Sequence, residues 1–259
     1  MSAPETTDDL FFGARLRLRQ PARGHRFGHD AALLAASVPQ GAASLLDAGA
    51  GVGAAGMAAA ALEPAAALTL LEIDPALAAL AADNLAANAM AARGRAVAAD
   101  LLSAPARRAA GLAPESFAAV LTNPPFLDAA AARVSPDPVR ARAHAFGHAA
   151  FDAGGVGDPL ARWLRACLAC LAPGGGLRVI HRADALPRLL AALDGRAGAI
   201  RLAPIRPRPG AAASRIVLAA TKGSKAPLRL EAGATLEDAD GRADPFAAAL
   251  LAGRARLFA

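Results

Sequence analysis

The most specific chemistry in this sequence lies in L-T-N-P-P-F, residues 121–126, at the end of an apolar run. An amino group conjugated to a ring is a poor nucleophile, and hydrogen-bond acceptors that draw it towards tetrahedral geometry stabilise the charge it gains on reaction. The Asn123 side-chain oxygen and the Pro124 carbonyl are suitable acceptors, because Pro125 stiffens the turn and keeps that carbonyl out of a helix. Phe126 offers a ring on which a base can stack. We predict Asn123, Pro124, Pro125 and Phe126 as the reacting centre; an ordinary proline-rich turn is the alternative.

A glycine loop, D-A-G-A-G-V-G, comes earlier in the chain. Asp47 ends a predicted strand, and Gly49, Gly51 and Gly53 follow where that strand turns into a helix. Glycine at such a turn lets a ligand approach the backbone. Dinucleotide-binding dehydrogenases and methyltransferases share this kind of loop, so the loop alone does not decide between them.

Two further carboxylates end the next two predicted strands, Glu72 and Asp100. Glu72 is placed to accept both hydroxyls of a ribose, which suits both classes of enzyme. Asp100 favours a methyltransferase, which holds the cofactor adenine by its amino group at this position; a helix N-cap or a solvated turn is the alternative. Because ligands of open α/β sheets bind at the carboxyl edge, Asp47, Glu72 and Asp100 together predict a cofactor with a ribose and a cationic amino acid part. We predict S-adenosylmethionine, with no metal.

Short apolar runs alternate with helical patterns from residue 44 onward, which is typical of a parallel sheet wrapped by helices. The predicted strands are 44–46, 68–73, 96–98, 117–121, 177–181, 200–205 and 215–221, the last two forming an antiparallel pair at the sheet edge. The predicted helices follow residue 52 and cover 75–88, 159–171 and 185–193. The fold class is therefore α/β and Rossmann-like, with a mostly parallel seven-stranded sheet, helices on both faces and an antiparallel last strand.

Three regions follow from this pattern: an N-terminal extension at 1–40, a methyltransferase domain at 41–222 and a C-terminal appendage at 223–259. An irregular insertion, 127–158, follows the N-P-P-F turn and carries Arg133, Arg140 and Arg142. Long loops of this kind are often functional. We predict that these three arginines contact RNA phosphates beside a base stacked on Phe126; a solvated loop whose charges serve solubility is the alternative.

The composition agrees with a polyanionic partner, because the net charge is +6 and arginine pairs well with phosphate. Arginine that merely replaces lysine is the alternative. Cys167 and Cys170 have no second cysteine pair, so we expect core residues rather than a zinc site. The N-terminus shows no signal peptide and no long apolar run appears, which predicts a cytoplasmic protein with no membrane partner. The oligomeric state is not indicated.

With these motifs in place, the sequence resembles the bacterial methyltransferases that convert adenine 37 of a valine tRNA to N6-methyladenine. The resemblance covers most of the chain and implies that residues before the first sheet strand, including Asp30, cover the cofactor pocket. It also implies tRNA as the partner. The motifs that carry it are G-A-R-L-R-L-R-Q-P-A-R-G-H-R-F-G-H-D-A-A-L-L, D-A-G-A-G-V-G-A-A-G, L-E-I-D-P, T-N-P-P-F, A-P-G-G-G-L-R-V-I-H-R-A-D and P-I-R-P-R-P-G-A-A-A-S-R-I-V-L-A-A-T-K-G-S.

The predicted function is therefore methylation of an exocyclic amino nitrogen, N6 of an adenine in tRNA. Two alternatives use the same turn: N5-methylation of a glutamine side chain in a protein, and N2-methylation of a guanine in ribosomal RNA. A binding module that keeps the fold without catalysis is a third, and the intact Asn123 turn argues against it.

Overall fold

The structure is a computed structural model, and it describes residues 5–23, 26–125 and 157–258. Within these residues, a two-stranded hairpin precedes a mixed sheet of nine strands. The strands are β1 Thr6–Phe11, β2 Leu16–Pro21, β3 Ser44–Ala48, β4 Ala67–Glu72, β5 Gly94–Ala98, β6 Phe117–Thr122, β7 Leu171–Arg182, β8 Ala197–Arg206, β9 Arg215–Lys222, β10 Arg229–Leu230 and β11 Ala234–Thr235. The helices are α1 His29–Ala35, α2 Ala54–Leu62, α3 Pro75–Ala87, α4 Ala104–Ala109, α5 Pro159–Cys170, α6 Leu186–Leu193 and α7 Pro245–Leu251, with a 3-10 turn at Ala183–Ala185.

The strand order of the large sheet is β10-β8-β9-β7-β6-β3-β4-β5, and β11 also pairs with β8. β9 runs antiparallel to both of its neighbours, and the remaining pairs are parallel. The predicted Rossmann-like α/β fold is thus confirmed. In the described part of the chain β10 and β11 raise the number of strands from the predicted seven to nine, and β9 lies between β7 and β8, an order that the sequence did not predict.

Helices cover both faces of the sheet, and successive strand residues alternate between two cores. Leu45 belongs to the core under α1, α2 and α3, whereas Leu46 belongs to the core under α5 and α6. Strands buried on both faces are continuous apolar runs rather than alternating ones, which explains why short apolar segments predicted this sheet.

Capping residues set where the helices begin at the carboxyl edge of the sheet. The Asp74 carboxylate accepts hydrogen bonds from the amides of Ala76 and Leu77, and Pro75 takes the first position of α3. Asp158 accepts in the same way from the Leu160 amide at the start of α5. These caps satisfy orphan amides and fix the length of each loop that borders the site.

The N-terminal hairpin of β1 and β2 docks on α3 through two asparagine side chains. Asn88 accepts from the Arg17 amide at 2.9 Å and donates to its carbonyl at 2.8 Å, and Asn84 does the same for Arg19. Asn84 also donates to the Val52 carbonyl at 3.0 Å, within the glycine loop. The two side chains thus bond the β2 backbone as a neighbouring strand would, and Asn84 also ties the hairpin to the glycine loop.

The C-terminal segment packs on the main sheet. β10 and β11 both pair with the outer side of β8. Leu250 of α7 is buried in the same core as Leu33 and Leu34 of α1. The division at residues 40 and 222 stays a prediction. Across the described ranges, none of the helices has the length and apolar character that crossing a bilayer requires.

Candidate functional site

The centre of the sheet brings the glycine loop beside the N-P-P turn. β3 and β6 are parallel neighbours, and their last residues, Ala48 and Thr122, pair with each other. The chain continues from β3 to β4 and β5 on one side, whereas β6 and β7 lie on the other. This is the point where the strand order reverses, and open α/β sheets bind their ligands there.

The glycine loop leaves backbone open to a ligand at one position. Gly49, Gly51 and Gly53 all have positive φ, at 76°, 55° and 90°. A Cβ on Gly49 would lie 3.0 Å from Cζ2 of Trp163, whereas a Cβ on Gly51 would have no atom of the described residues within 4 Å. As far as these residues are concerned, the space over Gly51 is therefore open to a ligand that contacts the loop backbone.

Glu72 supports this loop from the end of β4. Its Oε2 accepts from the Gly51 amide at 2.8 Å, and its Oε1 accepts from Ile73 at 2.8 Å and Asp74 at 3.0 Å. An ionised carboxylate has about four acceptor sites. Three amides use part of this capacity, so the predicted contact with a ribose hydroxyl is compatible with the geometry and stays a prediction.

Asp47 is a buried carboxyl whose pKa lies near neutral pH. Its side chain is 2% exposed, and its Oδ2 accepts from the Gly56 amide at 2.7 Å. Burial raises the pKa of Asp47 to about 7; the Gly56 hydrogen bond opposes this shift and the charge of Glu72 adds to it. A cationic group beside this carboxyl would restore its ionised form, which suits the amino acid part of the predicted cofactor.

Asp100 and Asp30 have partners in the protein. Asp100 Oδ1 accepts from the Leu102 amide at 2.8 Å, as in the alternative interpretation of Asp100 as a residue that caps a turn. Its other carboxylate oxygen accepts from no described residue. Asp30 Oδ2 lies 2.9 Å from Nε of Arg215. Arg215 pairs with Arg182 at the carboxyl end of β7, so Asp30 reaches the same edge of the sheet as the N-P-P turn. Cofactor contacts of both acids stay predictions.

The reacting-centre turn contains a buried acceptor. Asn123 Oδ1 is buried and accepts no hydrogen bond from any residue that the structure describes, and Pro124 is buried beside it. An unsatisfied buried polar atom costs about 1–3 kcal/mol, so such an atom indicates a site that a ligand completes. The other predicted residues of this region, Phe126, Arg133, Arg140 and Arg142, lie outside the described residues.

Two residues that the sequence did not single out join the site. Thr122 Oγ1 donates to the Ala48 carbonyl at 2.8 Å, and Nε1 of Trp163 donates to Thr122 Oγ1 at 2.8 Å. The position of Trp163 in the first turns of α5, after the insertion, is the only sequence signal for this contact. Local pattern cannot pair side chains so far apart in the chain.

The two cysteines lie free and buried in α5, as expected for core residues. Within 5–23, 26–125 and 157–258, no three His, Cys, Asp or Glu side chains come together as a metal ion would require.

Comparison with known proteins identifies the family. The profile of the methyltransferase small domain family matches residues 25–137, a range that holds the glycine loop and the N-P-P-F turn. A solved structure from Agrobacterium tumefaciens, described as a predicted O-methyltransferase, is 33% identical with a TM-score of 0.71. The alignment covers 88% of this chain and 97% of that protein. The chain belongs to the methyltransferase small domain family. S-adenosylmethionine is therefore the cofactor of this methyltransferase. That the glycine loop and the carboxylates at this edge hold it stays a prediction.

More distant structures share the fold. The Thermus thermophilus enzyme for N2 of guanosine 1207 in 16S ribosomal RNA, solved with AdoMet and guanosine, is 21% identical with a TM-score of 0.54. That alignment covers 86% of this methyltransferase and 51% of the Thermus chain. A putative transferase from Pyrococcus horikoshii is 12% identical with a TM-score of 0.52, over 86% of this chain and 74% of its own. No curated protein matches this chain.

Proposed function

We propose that this methyltransferase modifies an exocyclic amino nitrogen of a nucleobase in RNA, and that its target is N6 of an adenine in tRNA. The observation that carries the proposal is Oδ1 of Asn123 at the switch point of the sheet, which is buried and has no hydrogen-bond partner among the described residues. An amino group has two N–H donors. One can bond to Asn123 Oδ1 and the other to the Pro124 carbonyl, and both acceptors then stabilise the charge that develops on nitrogen.

The chain supplies orientation and electrostatics. The bound cofactor provides an electrophilic methyl group on a sulfonium. Asn123 and Pro124 hold the amino nitrogen in line, and burial of Pro124 and of the Asn123 oxygen keeps water from competing for its N–H groups. The side-chain amide of Asn123 is not a useful base, so the proton of the methylated nitrogen leaves to solvent.

The same acceptors argue against an oxygen target, although the Agrobacterium relative is described as a predicted O-methyltransferase. A hydroxyl has one proton, and it must lose that proton to become a strong nucleophile. A neutral amide oxygen cannot take it. The proposal therefore keeps nitrogen as the acceptor atom.

Positive charge at the same edge supports RNA as the partner. Arg182 ends β7, and Arg208 is exposed in the turn between β8 and β9, which leaves β8 at its carboxyl end. We propose that Arg133, Arg140 and Arg142, in the segment after the N-P-P-F turn, add phosphate contacts. Arginine suits this role because its guanidinium pairs with phosphate through two hydrogen bonds.

Guanine N2 in ribosomal RNA is the second candidate, because the Thermus thermophilus enzyme that shares this fold acts on 16S ribosomal RNA and was solved with guanosine. The N2 amino group of guanine offers the same two donors. A glutamine amide in a protein offers them as well, but it gives the arginines at this edge no phosphates to bind.

The target can be identified by mass spectrometry of nucleosides from tRNA and ribosomal RNA of a strain that lacks the gene. We expect N6-methyladenosine to disappear from one tRNA and to return when the wild-type gene is supplied. Loss of N2-methylguanosine from ribosomal RNA would establish the second candidate instead. Unchanged nucleosides together with loss of N5-methylglutamine would refute an RNA target.

The reacting centre is tested by Asn123→Ala. We expect turnover to fall by at least ~100-fold while S-adenosylmethionine still binds, because one preorganised acceptor in a buried site has about this effect. Asn123→Asp is the matched control, since it keeps an acceptor oxygen and should retain much more activity than the alanine variant. Methyl transfer to RNA measured beside calorimetric cofactor binding checks both. Wild-type turnover in Asn123→Ala would show that the turn is only structural.

A further inference from the structure

One buried hydroxyl connects the two halves of the site. Thr122 is fully buried at the end of β6, directly before Asn123, and its hydroxyl donates to the carbonyl of Ala48, directly before Gly49. The two residues are already register partners in the parallel ladder. The side-chain bond therefore adds a second link at the point where both strands leave the sheet.

Trp163 closes this link from α5. Its Nε1 donates to the same hydroxyl at 2.8 Å, and its ring lies against the glycine loop, 3.0 and 3.2 Å from where a Cβ of Gly49 would be. The other side of the loop is held by β4, because the amides of Gly49 and Ala50 both donate to the Leu71 carbonyl, at 2.9 and 3.0 Å. The loop is thus fixed between a strand and an indole ring.

We propose that Thr122 and Trp163 are positioning residues that set the separation between the glycine loop and the side-chain amide of Asn123. The inference rests on the proposed role of Asn123. In-line transfer requires the acceptor atom and the methyl group to be aligned closely, and a shift of about 1 Å can cost about a hundredfold in rate. A hydroxyl that bonds both the end of β3 and α5 restricts such shifts better than the ladder alone.

The variants separate the hydroxyl from its volume. Thr122→Val keeps the shape of the side chain and removes both bonds, so we expect turnover to fall about tenfold while affinity for S-adenosylmethionine changes less than about threefold. Thr122→Ser keeps the hydroxyl and should restore turnover. Trp163→Phe removes one donor, and combined with Thr122→Val it should add little further loss, because both act through one hydroxyl.

Thr69→Val is the matched control. Thr69 is a buried threonine in the middle of β4, and among the described residues its hydroxyl accepts one long bond, 3.3 Å, from Nε of Arg95. The same substitution there should leave turnover at the wild-type level. A loss equal to that of Thr122→Val would show that any buried threonine has this effect, and it would overturn the proposal.

Fluorescence provides a readout that does not depend on turnover. Trp163 is the single tryptophan of a chain without tyrosine, so emission excited at the indole band reports this residue alone. Thr122→Val should change the emission maximum, because Nε1 loses its acceptor, whereas Thr122→Ser and Thr69→Val should not. Saturating S-adenosylmethionine should also change the emission of the wild-type protein, since the ring lies on the loop.

Asn123→Ala, assayed in parallel, distinguishes the two proposals. If Asn123→Ala keeps wild-type turnover, the proposed reacting centre is wrong. If it loses turnover while Thr122→Val does not, or if Thr122→Val weakens cofactor binding as much as turnover, the positioning role is wrong. Should Thr122→Val fail to fold, Trp163→Phe decides: a selective loss of turnover supports the role, and wild-type turnover refutes it.

Discussion

Asp47→Asn should stabilise the cofactor-free protein at neutral and alkaline pH. The folded state raises the pKa of Asp47 from 3.8 to about 7, chiefly by burial. A raised folded pKa means that the fold favours the protonated carboxyl, so this contribution to stability is present below pH 3.8 and is lost as the pH rises to about 7. Asparagine cannot ionise, yet its oxygen can still accept from the Gly56 amide.

The magnitude follows from the shift. About three pKa units at 1.36 kcal/mol each correspond to about 4 kcal/mol for a fully buried group, as an upper value. The free energy of unfolding of Asp47→Asn should therefore equal that of the wild type near pH 4 and exceed it increasingly up to pH 7. The slope of the difference should approach ~1.4 kcal/mol per pH unit before it levels off.

Cofactor binding should reverse this preference, because a cationic group beside Asp47 favours the ionised carboxylate. We expect the wild type to release close to one proton on binding S-adenosylmethionine at about pH 6 and almost none well above pH 7. Asp47→Asn should bind more weakly and without this pH-dependent release. The burial that disfavours the ionised carboxylate of Asp47 in the free protein thus also strengthens the attraction between that carboxylate and a cationic group of the cofactor.

Urea denaturation across this pH range, for wild type and Asp47→Asn, measures the first effect. Calorimetry of S-adenosylmethionine binding in two buffers of different ionisation enthalpy measures the proton release. Parallel stability curves for the two proteins would refute a raised pKa of Asp47. Proton uptake by the wild type on binding would refute a cation beside this carboxyl.

Two further predictions concern the cofactor ribose and the RNA. Glu72→Ala should weaken S-adenosylmethionine binding by ~1.5–3 kcal/mol, because the Gly51 amide loses its acceptor and the ribose loses the predicted carboxylate contact. An unchanged calorimetric affinity would remove Glu72 from the site. Replacing Arg133, Arg140 and Arg142 together with alanine should weaken tRNA binding and flatten the slope of log affinity against log salt by up to about two units, at roughly 0.7 per phosphate contact, with cofactor affinity as the control. An unchanged salt slope would assign these arginines to solubility.

Local sequence pattern predicted the fold class and which side chains lie at the carboxyl ends of the central strands. Apolar runs separated by helical stretches indicated the parallel sheet, and Pro75 marked the start of α3. Parallel strands place their carboxyl ends at one edge, so Asp47, Glu72 and Asn123 could be assigned to that edge without coordinates. This assignment required only that each residue follows a parallel strand, and it did not require knowing which strands are neighbours in the sheet.

Other features depended on pairings that no local period encodes. The sequence analysis placed L-R-L-R-Q in an N-terminal extension and predicted neither the strand β2 nor the bonds from Asn84 and Asn88 of α3 to its backbone. In the same way, two antiparallel runs near the C-terminus did not indicate that β9 would lie between β7 and β8.

The sequence by itself determined the central strands, the helices between them and the side chains that end those strands, because helix and strand periods are local properties of the chain. Only the tertiary structure decided the chemistry of those side chains. Three such properties depend on distant neighbours: the burial of Asp47, the lack of a partner for the Asn123 oxygen among the described residues, and the position of the Thr122 hydroxyl between Ala48 and Trp163. Solvation and hydrogen bonding are set by whatever packs around a group, and residues far apart in the chain do that packing.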